Sequence, residues 1–252
     1  MSASFAFILF SIICVGSLLV VSWANHVETR KRVIRSRIAV LKNQYEEIQN
    51  LLITVDQTIE PREIARITNE ESLSILKAMH ELDSEDGYVN SAMKNAQALQ
   101  EELNREINLN ERIYRIRESD SQIAISHKHL EKAAALLAHK QTRGEISVEE
   151  LNSFKLSLAW GKLMISVISY IAQGHQAINR GELLPAKAFY QKALSNLAHS
   201  SHPDPRKKSM LKQVKEIIET DRVALDEDLM VEVDLNPDRQ QTEDTDKEAS
   251  SA

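Results

Sequence analysis

The chain has 252 residues, of which 42% are apolar and 5% aromatic, and it carries a formal net charge of -6. Six glycines and five prolines are few for this length, which argues against a sandwich or barrel and favours a nearly all-α protein. The one cysteine, Cys14, lies in an apolar run, so the sequence offers neither an intrachain disulfide nor a thiolate metal cluster.

The chain begins with an apolar segment, residues 5–24, which reads FAFILFSIICVGSLLVVSWA and contains no charge. As a helix, a segment of this length spans about 30 Å, which matches the hydrocarbon thickness of a bilayer. Trp23 lies at its end, where an indole favours the membrane interface. Residues 1–24 are therefore predicted to be a transmembrane anchor.

Basic residues follow this segment, whereas nothing before it is charged except the terminal amine. The positive-inside bias then predicts a single-pass protein of the cell membrane, with its N-terminus outside and its body in the cytoplasm. The predicted membrane-interface residues are Trp23, Arg30, Lys31, Arg32, Arg35 and Arg37. A cleaved signal peptide is the alternative, because Ser22 and Ala24 have the spacing that signal peptidase requires. The missing basic n-region and the long apolar run argue against it.

Residues 25–60 carry an apolar seam with alternating spacings of three and four, which is typical of a coiled-coil helix. The seam consists of Ile34, Ile38, Leu41, Tyr45, Ile48, Leu52, Val55 and Ile59. Pro61 is predicted to end the helix. The seam has two possible partners, a second copy in a parallel homodimer or another helix of the same chain. An anchor that aligns neighbouring chains slightly favours the homodimer.

Residues 61–143 are predicted to form three further helices. The first covers 68–82 and starts at a capping box formed by Thr68 and Glu71. The second covers 89–117, and the third covers 122–140 with Gly144 as its C-terminal cap.

Residues 144–225 are predicted to form a second helical region. A capping box at Ser147 and Glu150 opens a long helix that runs to about residue 180. Within this helix, residues 156–172 are apolar but contain Lys162, which favours a buried core helix over a second membrane span. A last helix, over about 205–225, completes the core.

Residues 167–198 resemble a single tetratricopeptide repeat, a helical hairpin of about 34 residues. The resemblance rests on Tyr170, Gly174, Gly181, Ala186, Tyr190, Ala193 and Leu194. Gln173, Ala177 and Ala198 depart from the pattern, and no second copy follows at the right period. The resemblance implies a module that packs helices or binds a protein, and it implies no catalysis.

Residues 226–252 are predicted to be a disordered acidic tail, because residues 221–252 hold eleven carboxylates against three cations. Within the tail, residues 229–233 read LMVEV, an alternating segment that could add to a sheet edge or dock in a groove. A solvated tail is favoured.

Catalytic motifs are missing from the sequence. It contains no glycine-rich phosphate loop, no G-x-S-x-G and no H-E-x-x-H, and none of the eight histidines follows a glutamate by three residues. His127 and Glu131 have a spacing that suits a metal, but a solvated surface pair is favoured. We therefore predict no enzyme, no cofactor, no metal and no nucleic-acid partner.

The preferred function is that of a membrane-anchored cytoplasmic helical scaffold or adaptor that tethers an unidentified protein partner. The alternative is an exported structural or assembly factor of the cell envelope.

Overall fold

The computed structural model describes residues 3–105, 112–220 and 222–232, with side chains from Ser22 onward except those of Ala24 and Val27. Within these ranges the protein is all-α, with seven helices and no strand, as the composition predicts. The helices are α1 (Ala3–Thr58), α2 (Arg62–Leu82), α3 (Gly87–Leu103), α4 (Asp120–Thr142), α5 (Val148–Asn179), α6 (Leu183–His199) and α7 (Arg206–Glu219).

The chain divides into two compact units. The first contains Met1–Glu47 and Ser72–Ala96, and the second contains Ile48–Glu71 and Gln97–Ala252. Both α1 and α2 therefore contribute to each unit.

In the first unit, the seam of α1 packs within its own chain. Ile38, Leu41 and Tyr45 lie against a small core formed by α2 and α3. That core consists of Leu76, Met79, Val89, Ala92 and Ala96. These three seam residues therefore have an intrachain packing partner, and the homodimer stays a prediction.

The remainder of the seam enters the core of the second unit. Leu52, Val55 and Ile59 are buried there among residues of α2, α4 and α5, whereas Ile34 and Ile48 are half-buried. Helix α1 ends at Thr58, close to Pro61 as predicted.

Two helix boundaries differ from the predictions. Helix α2 begins at Arg62 instead of residue 68, so Thr68 lies inside the helix and its hydroxyl donates to the carbonyl of Ile64 at 2.7 Å. Pro61 accounts for the earlier start, since a proline ends one helix and is tolerated before the first turn of the next.

Helix α3 ends at Leu103 instead of residue 117. Residues 113–118 are not helical, and Ile113, Arg115 and Ile116 are buried while Tyr114 is exposed. The rest of the predicted helix, residues 106–111, lies outside the described residues.

Both predicted cap signals around α4 and α5 are confirmed. Gly144 follows α4 with φ +72, a conformation that favours glycine. Helix α5 opens with the capping box, in which the Ser147 side chain accepts from the Glu150 amide and the Glu150 side chain accepts from the Ser147 amide.

Helix α5 is the centre of the second unit. Among the described residues it is the one helix that is long and apolar enough to cross a membrane, but 61% of its most apolar stretch is buried inside the protein. It packs with α6, α7 and α4 as a core helix, as its central Lys162 suggested. The predicted anchor falls on the first turns of α1, where side chains before Ser22 lie outside the described residues.

The C-terminal strap, residues 224–232, follows α7 and has no regular secondary structure. Its apolar residues Leu225, Leu229 and Met230 belong to the core shared by α5, α6 and α7, and Glu232 is buried. The predicted tail boundary at residue 226 is therefore too early, because burial of these side chains outweighs the acidic composition. Residues 233–252 lie outside the described residues.

Candidate binding cleft

An open cleft of about 210 Å³ lies in the second unit, between the α1–α2 junction, the first half of α5 and the loop that precedes α7. Glu60 and Pro61 contribute from the junction, Leu156 and Trp160 from α5, and His202 from the loop. This volume is below the roughly 300–1,000 Å³ that is usual for pockets that bind small ligands.

Trp160 is the aromatic residue of the cleft. The ring of His202 lies 5.3 Å from it, centroid to centroid, and the guanidinium carbon of Arg206 lies 4.8 Å from its centroid, a cation–π distance. Trp160 is only 6% exposed, and its indole nitrogen Nε1 has no hydrogen-bond partner among the described residues. A buried donor without an acceptor costs free energy of folding.

Arg206 joins the two acidic residues of the cleft. Its Nη1 and Nη2 donate to the two carboxylate oxygens of Glu60 at 2.7 and 3.2 Å. Its Nε and Nη2 donate to Asp204 at 3.0 and 2.8 Å. The hydrogen bond from Arg206 lowers the pKa of Asp204, and the bond from Asp204 raises the pKa of Arg206. Two carboxylates share one guanidinium, so the cleft keeps a negative charge.

Local hydrogen bonds hold the loop before α7. The Asp204 amide donates to Nδ1 of His202 at 3.2 Å, which leaves Nε2 as the protonated nitrogen that donates to the carbonyl of Leu156 at 3.1 Å. The Arg206 amide donates to the Asp204 carboxylate at 2.9 Å. Pro203 and Pro205 restrict the backbone around these residues. These hydrogen bonds fix the position of the His202 ring in the wall of the cleft.

A second, smaller cavity of about 30 Å³ also touches Trp160, Glu60 and Arg206, and the strap contributes Leu229 and Val231 to its lining. It has room for about one water molecule.

Beside this cavity, Arg115 and Glu232 form a buried ion pair. Nε of Arg115 donates to Oε1 of Glu232 at 2.9 Å, and the Arg115 amide donates to the same oxygen at 2.9 Å. The two side chains are 5% and 0% exposed. Removal of either side chain would leave the other charge buried without a counterion, which would strongly destabilise the fold.

None of the residues predicted as site residues lines the cleft. The predicted interface residues are exposed on α1, with Trp23 70% exposed. The repeat-like residues lie in the α5–α6 hairpin, where Gly181 has φ +76 and Ala186, Tyr190 and Ala193 are buried, while Tyr170 and Leu194 are half-buried. A Cβ at Gly174 would lie 2.3 Å from the Tyr190 ring, so the two helices approach closely at this glycine.

The His127–Glu131 pair is not arranged as a metal site. Nε2 of His127 lies 3.0 Å from the Lys162 carbonyl and 3.0 Å from the Ser166 hydroxyl, while Glu131 accepts from Nζ of Lys162 at 2.7 Å. Burial lowers the pKa of His127. In the part of the chain that the structure describes, no group of three or more metal-ligating side chains occurs.

Comparison with known proteins adds no relative: no protein-family model, no curated protein and no solved structure matches the chain. The likeness of residues 167–198 to a tetratricopeptide repeat therefore stays a local resemblance of sequence. Fold and site together define an all-α protein with an acidic cleft that contains one aromatic residue.

Proposed function

We propose that the protein is a single-pass membrane-anchored cytoplasmic scaffold that holds a protein partner at the bilayer. The observation that carries the proposal is the make-up of α1. This one helix, Ala3–Thr58, contains in order the uncharged segment 5–24, the exposed cations and the apolar seam. The helix is continuous from the proposed anchor to Leu52 and Val55, which are buried in the core of the second unit.

The cations that follow the proposed anchor support an orientation with the N-terminus outside and the rest of the chain in the cytoplasm. Arg30, Lys31, Arg35 and Arg37 are exposed on α1, and Arg32 pairs with Glu28 at 3.3 Å on the surface. Exposed cations beside a membrane segment favour the cytoplasmic side and attract anionic headgroups, at about 1 kcal/mol each. The exposed indole of Trp23 suits the interface between headgroups and acyl chains.

The proposed mechanism is a rise in local concentration. A partner held in the cleft by a protein fixed in the bilayer meets other membrane components at a higher effective concentration than in solution. The negative charge of the cleft favours a partner that supplies a cation. The proposal needs no cofactor and no homodimer.

Fractionation of cell membranes after an alkaline carbonate wash tests the anchor. The full chain is expected in the membrane pellet, and an Ile13→Arg/Val15→Arg variant in the supernatant, because each arginine disfavours insertion by about 2.5–3.5 kcal/mol at the centre of a span. An Ile13→Leu/Val15→Leu variant is the matched control and should stay in the pellet. Recovery of the unaltered chain in the supernatant would refute the anchor.

An exported envelope factor is the second candidate, because Ser22 and Ala24 have signal-peptidase spacing. Mass spectrometry of the N-terminus distinguishes the two. A mature chain that starts at Asn25 favours export, and a chain that retains residues 1–24 favours the anchored scaffold.

A further inference from the structure

The C-terminal strap occupies a groove in the second unit as a ligand would. Its apolar side chains Leu229, Met230 and Val231 are buried, and the next residue, Glu232, reaches the guanidinium of Arg115. Three consecutive apolar residues followed by a carboxylate are therefore recognised by an apolar groove with one buried cation. This groove contains Ile116, Met164, Met210 and Ile217 among its buried apolar side chains.

The attachment of the strap is made largely by side chains. The Gln213 side chain accepts from the Asp226 amide at 2.9 Å and also donates to the Asp226 carboxylate. The amides of Leu229 and Met230 both donate to the Asp226 carbonyl, at 3.0 Å, so these backbone bonds lie within the strap itself. A segment from another molecule that adopts the same turn could reproduce the contacts with the groove without any change in the helices.

Three features make the strap replaceable. Thr220, which ends α7 just before the strap, has φ +68, a left-handed conformation that a β-branched residue rarely adopts. The cavity of about 30 Å³ beside Leu229 and Val231 shows that the contact is not fully packed. Met164 and Met210 in the groove are flexible side chains that adapt to different apolar partners.

From these contacts we infer that the groove is a peptide-binding site that the strap fills in cis, and that it accepts a partner segment of three apolar residues followed by Asp or Glu. Arg115 is the specificity-determining residue, because a segment without a carboxylate would leave its guanidinium buried and unpaired. The strap competes with such a segment from within the same chain. The inference goes beyond the proposed function, since the groove is a second site, apart from the acidic cleft, and takes an acidic segment instead of a cationic one.

Exchange of the strap tests this inference directly. A specific protease site inserted after Val223 lets the full chain fold in detergent micelles before the strap is cut from the body. A fluorescent peptide with the sequence of residues 224–233 is then added, and its anisotropy is followed. We expect saturable binding after cleavage and at least about tenfold weaker binding before it, because the tethered strap has a high effective concentration.

Two matched variants test the role of the ion pair. A peptide with Glu232→Ala should bind the cleaved protein at least about tenfold more weakly than the unaltered peptide. The variant Arg115→Met should lose this discrimination, and a control peptide with Asp228→Asn, at an exposed carboxylate, should bind as the unaltered one does.

The inference fails if the cleaved protein keeps its helical circular dichroism but does not take up the peptide, or if the Glu232→Ala peptide binds equally well. Neither result depends on a membrane, so a failure here leaves the carbonate fractionation, and with it the proposed anchor, unaffected.

Discussion

At the scale of single residues, Gly174 lets the Tyr190 ring of α6 pack directly against the backbone of α5. The Tyr190 hydroxyl lies 2.8 Å from Nδ1 of His175, which holds the ring in place over Gly174. A methyl group at Gly174 would meet three carbon atoms of that ring within 2.7 Å. A ring held at its far end cannot move aside without losing this hydrogen bond.

Gly174→Ala is therefore expected to lower the free energy of unfolding by about 1–3 kcal/mol. Gly161→Ala is the first control: its Cβ would approach the end of the flexible Ile59 side chain at 2.2 Å, which can move more cheaply. Gly87→Ala is the second, because nothing lies within 4 Å of a Cβ there. Urea unfolding followed by circular dichroism measures all three. A loss at Gly174 no larger than the loss at Gly161 would contradict the packing described.

Burial raises the pKa of Tyr190 from its ordinary 10.0 to about 12. The pKa of this phenol is higher in the folded state than in the unfolded state, so the folded state favours the neutral form. The corresponding stability is fully present below pH 10 and is lost as the pH rises from 10 to 12. Tyr190→Phe should reduce the loss of stability over this interval, while Tyr114→Phe, at an exposed tyrosine, should leave it unchanged. Urea midpoints measured at pH 9, 10 and 11 test this, and equal slopes for all three proteins would contradict it.

At the scale of elements, arginine side chains from distant parts of the chain cap two helix ends. Arg112 donates to the carbonyls of Ile59 and Glu60 at 3.0 and 2.6 Å and to that of Asp56, and so satisfies the C-terminus of α1. Arg62 does the same for the end of α3, with bonds to the carbonyls of Glu102 and Arg105 at 2.9 and 2.8 Å. Burial lowers the pKa of Arg112.

Arg112→Lys should lower the free energy of unfolding by about 1.5–3 kcal/mol, because an ammonium group cannot reach all three carbonyls in the geometry of a guanidinium fork. Arg180→Lys, in an exposed pair with Glu182, is the control and should cost less than about 1 kcal/mol. Thermal and urea unfolding provide the comparison. Equal effects of the two substitutions would show that Arg112 is not a cap.

The same contacts explain which helices could be predicted. The boundaries of α4 and α5 are encoded locally, by Gly144 and by the Ser147–Glu150 capping box, and the sequence predicts them well. The end of α3 depends on Arg62, some forty residues away, and no local signal marks it. Burial of the strap likewise depends on Arg115 and on a groove formed by other helices, so its acidic composition was misleading.

The cleft could not be predicted for a related reason. It gathers Glu60, Trp160 and Arg206 from three separate stretches, and no motif connects them. The sequence held one weak signal for the cleft. Trp160 is one of only two tryptophans, and it lies next to Gly161 in a predicted core helix. The repeat-like hairpin was easier to recognise, because Gly174, Ala186 and Tyr190 lie close together in the sequence.

At the scale of the whole molecule, the intrachain packing of Ile38, Leu41 and Tyr45 predicts a body whose stability does not require a second copy. The thermal midpoint should then be independent of protein concentration. Leu41→Lys should lower the midpoint without changing the mass measured by light scattering, and Val40→Lys, at an exposed position, should have little effect. A midpoint that rises with concentration would instead favour the parallel dimer.

Hydropathy alone does not distinguish a membrane span from a buried core helix in this molecule. Helix α5 passes a length and composition test for a span although most of its apolar window is buried in the protein. The proposed anchor is distinguished by its position, by its lack of charge over residues 5–24 and by the cations that follow. The topology of the chain is therefore the property on which the scaffold proposal depends most.

Protease protection of the full chain, tagged at both ends, tests this topology most directly. The scaffold proposal predicts that protease added to intact cells removes the N-terminal tag only, and that protease added to inside-out vesicles digests the body and removes the C-terminal tag. Digestion of the body in intact cells, with the N-terminal tag protected, would contradict a cytoplasmic scaffold.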